Sequence, residues 1–143
     1  VLNAEIKRIS TRDTLAIRQQ VLWPDKSLEE VRVPGDDKAM HIGAFISNSL
    51  VCVASLFVSD DSTVRLRKFA TIEAHQGKGI GTEVLNYALD LAIAKGATHF
   101  WFDARENALP FYLRFGFESK GECFYKGSIP YFRMEKPLKH DER

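Results

Sequence analysis

Three glycines at alternate positions lie directly before a long amphipathic segment in the middle of the chain. Gly77, Gly79 and Gly81 are followed by apolar residues at helical spacing, and the segment ends at Lys95-Gly96, a usual helix stop. Glycines before a helix let backbone N–H groups approach an anion, and the helix N-terminus adds a partial positive charge. The segment therefore predicts a turn that can bind phosphate, or, with no ligand, a simple glycine-rich connection.

The known phosphate-binding patterns narrow the choice of ligand. A Walker loop needs two glycines separated by four residues, followed directly by Lys and then Ser or Thr, and this chain lacks that pattern. The dinucleotide fingerprint counted from Gly77 requires Gly or Ala at the position that Thr82 occupies. Both common nucleotide-binding motifs are therefore excluded, and a nucleotide-binding domain is only the third hypothesis.

The rest of the chain predicts an α/β fold. Apolar alternation indicates strands and 3.6-residue periodicity indicates helices, in the order β-α-β-β-β-α-β-α-β-β. This order predicts a mixed sheet flanked by helices on both faces. The strands are expected at 2–9, 41–46, 50–58, 63–71, 98–104, 117–124 and 131–136, and the helices at 10–23, 80–96 and 107–115.

Length and charge limit the classes of protein. The 143 residues suffice for a single domain, 1–143, with a frayed tail from about residue 137. A formal charge of +1 gives no bulk electrostatic attraction to nucleic acid or to an anionic membrane, so neither is an expected partner. Cys52 and Cys123 lie among apolar neighbours and outside any metal-binding spacing, which predicts reduced thiols, no metal site and a cytoplasmic location.

Two segments resemble a known family. Gln76, Gly79 and Gly81 match the Q/R-x-x-G-x-G/A signature of the GNAT superfamily of acetyl-CoA-dependent N-acetyltransferases. The strand 67–71 is similar to the central strand of that family. The segment 107–117 resembles its N-x-x-A-x-x-F-Y-x-x-x-G-F pattern, with Pro110 in place of the alanine. The resemblance covers most of residues 1–136 and implies a GNAT-like splayed sheet.

The resemblance also implies where acetyl-CoA binds. The pantetheine arm would lie at the splay of the sheet and pair with the backbone of the central strand, as an added strand would. Asn107 would contact this arm or cap a helix, and Tyr112 would lie near the thioester sulfur. The expected arm contacts on the strand are Phe69, Ala70 and Thr71, and the expected pyrophosphate contacts are the backbone N–H groups of Gln76, Gly77, Lys78, Gly79, Ile80, Gly81 and Thr82.

Direct acetyl transfer to an amine in a ternary complex needs a donor for the carbonyl oxygen, a proton for the leaving thiolate and a neutral amine. A backbone N–H near Phe69 meets the first need. Tyr112 is the expected general acid, because an unperturbed phenol, with a pKa of about 10, is protonated at neutral pH; packing in the core is the alternative role. Some relatives carry a glutamate base where this chain has Arg65. The base stays unassigned, with Glu73, His41, Asp103, His75 or a water chain as alternatives.

The acceptor side is less constrained. Arg65 shares a strand face with Arg67, Phe69 and Thr71, and predicts a cationic pocket for a small amine that bears an anionic group. Pairing of Arg65 with Asp60 or Asp61 is the alternative. His41 and Tyr131 are further candidate substrate contacts, and the aromatic residues leave a homodimer open. A non-catalytic acyl-CoA-binding sensor on the same fold is the second functional hypothesis, since the strand glutamate is missing.

Overall fold

The computed structural model describes residues 3–139, which form two compact units. The first unit contains the chain up to Phe57 together with Leu66–Leu91, and the second contains Val58–Arg65 and the chain from Ala92 onward. The single domain that the length indicates stays a prediction.

The first unit is built on antiparallel strands. Strand β1 (Glu5–Ile9) pairs with β2 (Met40–Ile46), and β2 pairs with β3 (Ser49–Val58). Strand β4 (Thr63–Thr71) follows β3 in the sheet, and its segment from Leu66 lies in this unit. The predicted hairpin of the second and third strands is confirmed, and the connection between them is a tight turn.

Two helices belong to the first unit. Helix α1 (Thr11–Ile17) begins with the capping box that the sequence predicts, in which Ser10 and Asp13 bond each other's backbone N–H at 3.2 Å. A π-helical turn then carries the chain to Leu22, so the predicted end near Trp23 is confirmed. Helix α2 (Ile80–Ala94) begins directly after the glycine-rich segment, and its residues up to Leu91 lie in this unit.

The core of the first unit joins α1 to the strands. Ile17 of α1 packs against Val53 of β3 and Ala70 of β4, and all three side chains are buried. Partly buried apolar residues pack against this cluster; they are Ile9, Val21, Leu22, Leu50 and Ile72. Burial of apolar surface on this scale is the main stabilising term for such a sheet.

The second unit holds the end of the chain and a mixed sheet. Its strands are the start of β4, β5 (His99–Arg105), β6 (Glu118–Lys126) and β7 (Ile129–Pro137), in the order β4-β5-β7-β6. Strand β5 is parallel to β4, and the pairing covers the first three residues of each, up to Arg65 and Trp101. Strands β7 and β6 are antiparallel to their neighbours.

Aromatic rings form the core of the second unit. Helix α3 (Leu109–Leu113) brings Tyr112 to 4.4 Å from Phe102 of β5, measured between ring centroids. Phe117 packs edge-on to Phe102 at 4.9 Å and lies 5.8 Å from Phe100. The face of β5 that carries Phe100 and Phe102 is therefore the covered one.

Three sequence predictions for the second unit need correction. Asn107 does not cap α3: it lies in a 3-10 turn, and the N-cap is Ala108, without a side-chain bond. Strands β6 and β7 extend farther than expected and leave a two-residue turn between Lys126 and Ile129. The tail is not frayed at Leu138, which is buried and donates its N–H to the Thr98 oxygen at 2.8 Å. Residues after 139, like Leu2 of the predicted first strand, lie outside the described part.

The predicted fold class is confirmed. The described residues form a mixed α/β fold with seven strands and with the predicted order of main helices and strands. None of the helices that the structure describes is long and apolar enough to cross a membrane.

Candidate functional site

The glycine-rich loop is open on the side where a ligand would bind. Gly77 and Gly79 adopt positive φ angles of 74° and 84°, and a Cβ added to either would meet nothing within 4 Å. These angles are costly for other residues, so the loop needs glycine for its backbone and not for close packing. The 15-residue helix α2 follows at once, with its N-terminal N–H groups facing the same loop. This backbone fits a bound diphosphate.

The end of β4 and the glycine-rich loop contact each other. Gln76 donates from Nε2 to the backbone oxygen of Thr71 at 2.9 Å. A Cβ added to Gly81 would lie 3.4 Å from Cζ of Phe69. The residues expected at the pantetheine arm and those expected at the pyrophosphate thus lie side by side within the first unit. Ala70 is buried in the core, which anchors the strand that carries them.

Lys68, near the end of β4, has an unusual backbone conformation. Its φ is 55°, a left-handed value for a residue that is not glycine. Its Nζ lies 3.8 Å from the centroid of the Trp23 ring. Sequence periodicity predicts a regular strand here and gives no signal for this irregularity.

Cys52 supports the strand end from the neighbouring strand. Thr71 donates from Oγ1 to the Cys52 sulfur at 3.2 Å. Burial raises the pKa of the Cys52 thiol to about 11, against a smaller opposite effect of the Thr71 hydrogen bond. Cys52 is therefore a neutral thiol at physiological pH, and both cysteines are free. No group of His, Cys, Asp and Glu within residues 3–139 could hold a metal ion.

Tyr112 and Asn107 lie in the second unit. Tyr112 is partly buried on α3, and its ring packs against Phe102 and, edge-on at 5.0 Å, against Phe111. Asn107 is exposed in the turn before α3. Both roles predicted for Tyr112, packing and proton donation, are compatible with this placement, since the contacts with Phe102 and Phe111 are made by the ring and not by the hydroxyl.

His41 is buried in this fold, and its ring is held by hydrogen bonds. It is 3% exposed, and both ring nitrogens have partners. Its Nδ1 lies 2.7 Å from Oγ of Ser55, and its Nε2 lies 2.8 Å from the Asp36 backbone oxygen and 3.0 Å from Oγ1 of Thr11. These bonds give His41 a structural role, and the expectation that it contacts a substrate stays a prediction.

Arg65 pairs with an acid that the sequence did not suggest. Its Nη2 donates to Oδ2 of Asp103 at 3.1 Å, and its guanidinium lies 4.5 Å from the centroid of the Trp101 ring. Asp61 accepts instead from the Thr63 hydroxyl at 2.7 Å. The alternative of a pair with Asp60 or Asp61 is thus wrong.

Two more cations surround the same carboxylate. Lys126 Nζ lies 3.5 Å from Oδ2 of Asp103, and Arg133 Nε lies 3.8 Å from Oδ1. The guanidinium of Arg133 lies 4.0 Å from the centroid of the Trp101 ring. We call Arg65, Trp101, Asp103, Lys126 and Arg133 the Asp103 cluster; it lies wholly within the second unit.

Tyr131, the remaining predicted substrate contact, borders the Asp103 cluster. Its ring stacks on Phe124 with a centroid distance of 6.0 Å, and Lys126 Nζ lies 4.5 Å from its centroid. The structure thus brings together two of the three predicted acceptor residues, Arg65 and Tyr131, through the side chains of one cluster.

The alternatives for the base differ in their surroundings. Asp103 is enclosed by three cations, which makes it a counter-ion. Glu73 is exposed in the turn after β4. The Nδ1 of His75 is buried without a hydrogen-bond partner among the described residues. The base stays unassigned.

Sequence reasoning missed a buried ion pair that fixes the loop between α1 and β2. Arg18 donates from Nη1 and Nη2 to the two carboxylate oxygens of Asp36 at 2.8 and 2.9 Å. The same guanidinium donates to the Val31 oxygen and to Ser55 Oγ. A single sequence does not reveal this pair, because the arginine lies at the end of a helix and the aspartate lies in a distant polar loop.

Comparison with known proteins agrees with this geometry. The model of the acetyltransferase (GNAT) family matches residues 5–117. The uncharacterized N-acetyltransferase YitI of Bacillus subtilis (strain 168) is 29% identical over 128 residues, which are 84% of this chain and 86% of YitI.

Solved structures show the same fold. A protein described as an N-acetyltransferase from Lactobacillus plantarum superposes with a TM-score of 0.83 at 22% identity, covering 95% of this chain and 99% of the other. An aminoglycoside 6'-N-acetyltransferase complexed with coenzyme A gives 0.79 at 16% identity, covering 97% and 99%. Because the family model spans most of the chain and its glycine signature lies on an open loop before a helix, this protein belongs to the acetyltransferase (GNAT) family.

Proposed function

We propose that this protein transfers the acetyl group of acetyl-CoA to a primary amine by direct attack in a ternary complex. The observation that carries the proposal is the loop at 76–81, whose glycines hold positive φ angles with open space beside them, directly before α2. Membership of the GNAT family supports an acyl-CoA donor. Acetyl as the acyl group and an amine as the acceptor are parts of the proposal.

The first unit holds the donor in this proposal. Backbone N–H groups from Gln76 to Thr82 bind the two phosphates, since unpaired N–H groups before a helix are suited to anions. The backbone of Phe69, Ala70 and Thr71 pairs with the pantetheine arm, and an N–H beside Phe69 donates to the carbonyl oxygen. Lys78, which is exposed on the loop, adds a positive charge near the phosphates.

Tyr112 supplies the proton in this proposal. Bound acetyl-CoA provides an acetyl thioester, and transfer of its acetyl group to the amine nitrogen frees the CoA thiol. The Tyr112 hydroxyl holds the proton that the departing sulfur takes up, and the ring contact with Phe102 orients the phenol. Asn107 contacts the pantetheine arm, because its side chain is not used as a helix cap.

The acceptor in this proposal is a small molecule with a primary amine and an anionic group, which Arg65 of the Asp103 cluster favours by charge. We place the protein in the cytoplasm on the basis of its two free cysteines. Neither nucleic acid nor a membrane is a proposed partner, and a homodimer is compatible with the proposal.

A non-catalytic acyl-CoA sensor is the second candidate. It is favoured by one observation: Arg65 is bonded to Asp103, at the position where the family resemblance implies a glutamate base in some members. A sensor and an enzyme both bind acyl-CoA, but only the enzyme releases free CoA thiol in the presence of an amine.

The test combines binding with turnover. We expect acetyl-CoA to raise the melting temperature, because a ligand of the folded state stabilises it by mass action, while ATP and NAD leave it unchanged. We also expect thiol release that depends on an added primary amine, measured over amino acids, peptides and small polyamines. Stabilisation without thiol release on every amine would favour the sensor, and stabilisation by ATP or NAD alone would contradict both candidates.

A further inference from the structure

The Asp103 cluster has more positive charge than its own carboxylate neutralises. Three cations approach Asp103, whose side chain is 9% exposed, while Arg133 and Lys126 keep 48% and 50% of their side chains exposed. Glu135, which lies opposite Trp101 on β7, forms no ion pair in the part of the chain that the structure describes. The cluster therefore has an excess of two positive charges, on side chains that solvent reaches.

These two cations are held in place before any ligand binds. Cζ of Arg133 lies over the Trp101 ring, 4.0 Å from its centroid, and Nζ of Lys126 lies over the Tyr131 ring, 4.5 Å from its centroid. Such cation–π contacts reduce the side-chain freedom that binding would otherwise cost. Within residues 3–139 the terminal nitrogens of Arg133 have no hydrogen-bond partner, so its planar pair of donors is available.

The cluster also contains buried polar atoms that lack partners. Oδ1 of Asp103 and Nε of Arg65 are both enclosed without a hydrogen bond among the described residues. Arg133 Nε is 3.8 Å from that Oδ1, which is an ionic distance and too long for a hydrogen bond. The pairing inside the cluster is thus incomplete, as expected where a ligand completes the arrangement.

Position on β5 separates the cluster from the proposed acid. Asp103 follows Phe102 directly, and adjacent residues of a strand point to opposite faces. Tyr112 packs on the Phe102 face, so the cluster lies on the other face of β5.

We propose that Arg133 and Lys126 bind the anionic group of the acceptor, a carboxylate or a phosphate, and that Arg65 and Asp103 position them. This inference rests on the proposed function and deepens it, because it assigns the binding of the anionic group to Arg133 and Lys126 and gives Arg65 a positioning role. A guanidinium pairs with both oxygens of such a group through two parallel N–H donors, and the ammonium adds a point charge.

The experiment compares amines that differ only in the anionic group. CoA-thiol release is measured with β-alanine, β-alaninamide and 2-aminoethylphosphonate, for the wild type and for Arg133→Gln, Lys126→Gln and Lys7→Gln. Lys7 is the matched control, because it lies outside the cluster but resembles Lys126: it is 54% exposed, pairs with Glu5 at 3.5 Å and lies 4.7 Å from the centroid of the Phe45 ring. All variants are compared at one ionic strength, since surface charges are screened by salt.

We expect the wild type to prefer one of the two acidic amines over the amide by about tenfold or more in kcat/KM. Arg133→Gln and Lys126→Gln should remove this preference, mainly through the acceptor KM for the acidic amines, while Lys7→Gln keeps it. The better of β-alanine and 2-aminoethylphosphonate distinguishes a carboxylate from a phosphate. Equal turnover of all three amines, or an unchanged preference in Arg133→Gln, would overturn the inference alone.

A binding measurement tests the anion site even if the proposed acetyl transfer does not occur. If no amine gives thiol release, the anion site is tested by titrating 2-aminoethylphosphonate and β-alanine against tryptophan fluorescence, since Trp101 lies within the cluster. A saturable change in the wild type that Arg133→Gln abolishes supports the site. The same change in both proteins, or none in either, contradicts it.

Discussion

Arg18 and Asp36 form a bidentate ion pair in the interior of the first unit, with both nitrogen–oxygen distances below 3 Å. The guanidinium is fully buried and the Asp36 side chain is 7% exposed. Asp36 also accepts the Val33 N–H at 2.8 Å, so the pair fixes the polar loop between α1 and β2 on the strands. The loop conformation therefore depends on a contact between residues that are far apart in sequence.

Arg18→Met should destabilise the protein by about 3–5 kcal/mol, because it leaves the Asp36 carboxylate buried without its partner. The double variant Arg18→Met/Asp36→Leu should recover part of this loss, since no charge is then left uncompensated. Arg32→Gln, which breaks the exposed pair with Glu29, is the control and should cost less than about 1 kcal/mol. Urea denaturation checks the three values; equal losses for Arg18→Met and Arg32→Gln would contradict the account.

Stability should depend on pH through Asp36. Burial acts to raise the pKa of Asp36, but the hydrogen bonds from Arg18 and Val33 and the Arg18 charge together lower it below the ordinary value. The resulting stabilisation is present above the unfolded pKa, near 4, and is lost as the pH falls through the lower folded pKa. The difference in unfolding free energy between wild type and Asp36→Asn should therefore shrink from pH 6 to pH 2.5. A difference that stays constant or grows on acidification is the contrary result.

Gly79→Ala and Gly96→Ala separate backbone strain from ligand binding. The two glycines have nearly the same φ, 84° and 83°, and both face open space. Alanine at either position should cost about 1 kcal/mol of stability. Only Gly79→Ala should weaken acetyl-CoA binding, by roughly tenfold, because only its loop is proposed to hold the phosphates. Calorimetric titration measures both affinities, and equal affinities in the two variants would remove the loop from the site.

Tyr112→Phe should lower kcat by about a hundredfold while acetyl-CoA affinity changes less than about twofold. The aromatic packing on Phe102 is kept, so the loss reports the hydroxyl alone. Tyr125→Phe is the control, since Tyr125 is 65% exposed on β6. Steady-state rates with a good acceptor test this prediction; an unchanged kcat would assign Tyr112 to packing, and a loss of affinity would show that the residue acts in binding.

Local sequence patterns predicted most of the fold for physical reasons. The period of the α2 residues and the Ser10–Asp13 capping box depend on near neighbours, and the structure confirms both. The Asn107 cap was wrong because Pro110, at the start of α3, favours a helix beginning at Leu109 after a 3-10 turn. The docking of Leu138 was missed because it depends on the distant Thr98 oxygen.

The site was predicted unevenly. The glycine loop could be predicted because the positive φ angles at Gly77 and Gly79 favour glycine at these positions. The surroundings of Arg65 could not be predicted, since Asp103 and Arg133 come together only through the β4-β5-β7 pairing. Ion pairs between distant residues leave no periodic trace in one sequence, and the burial of His41 likewise follows from Ser55 and Thr11 on other elements.

The central claim is that this chain moves an acetyl group from acetyl-CoA to an amine. Its most direct test is mass spectrometry of the amine products after incubation with acetyl-CoA, alongside the quantity of free CoA thiol. The account predicts an N-acetylated amine in a one-to-one ratio with released thiol, reduced in Tyr112→Phe. Thiol release without any acetylated amine, or neither product although acetyl-CoA binds, would contradict it.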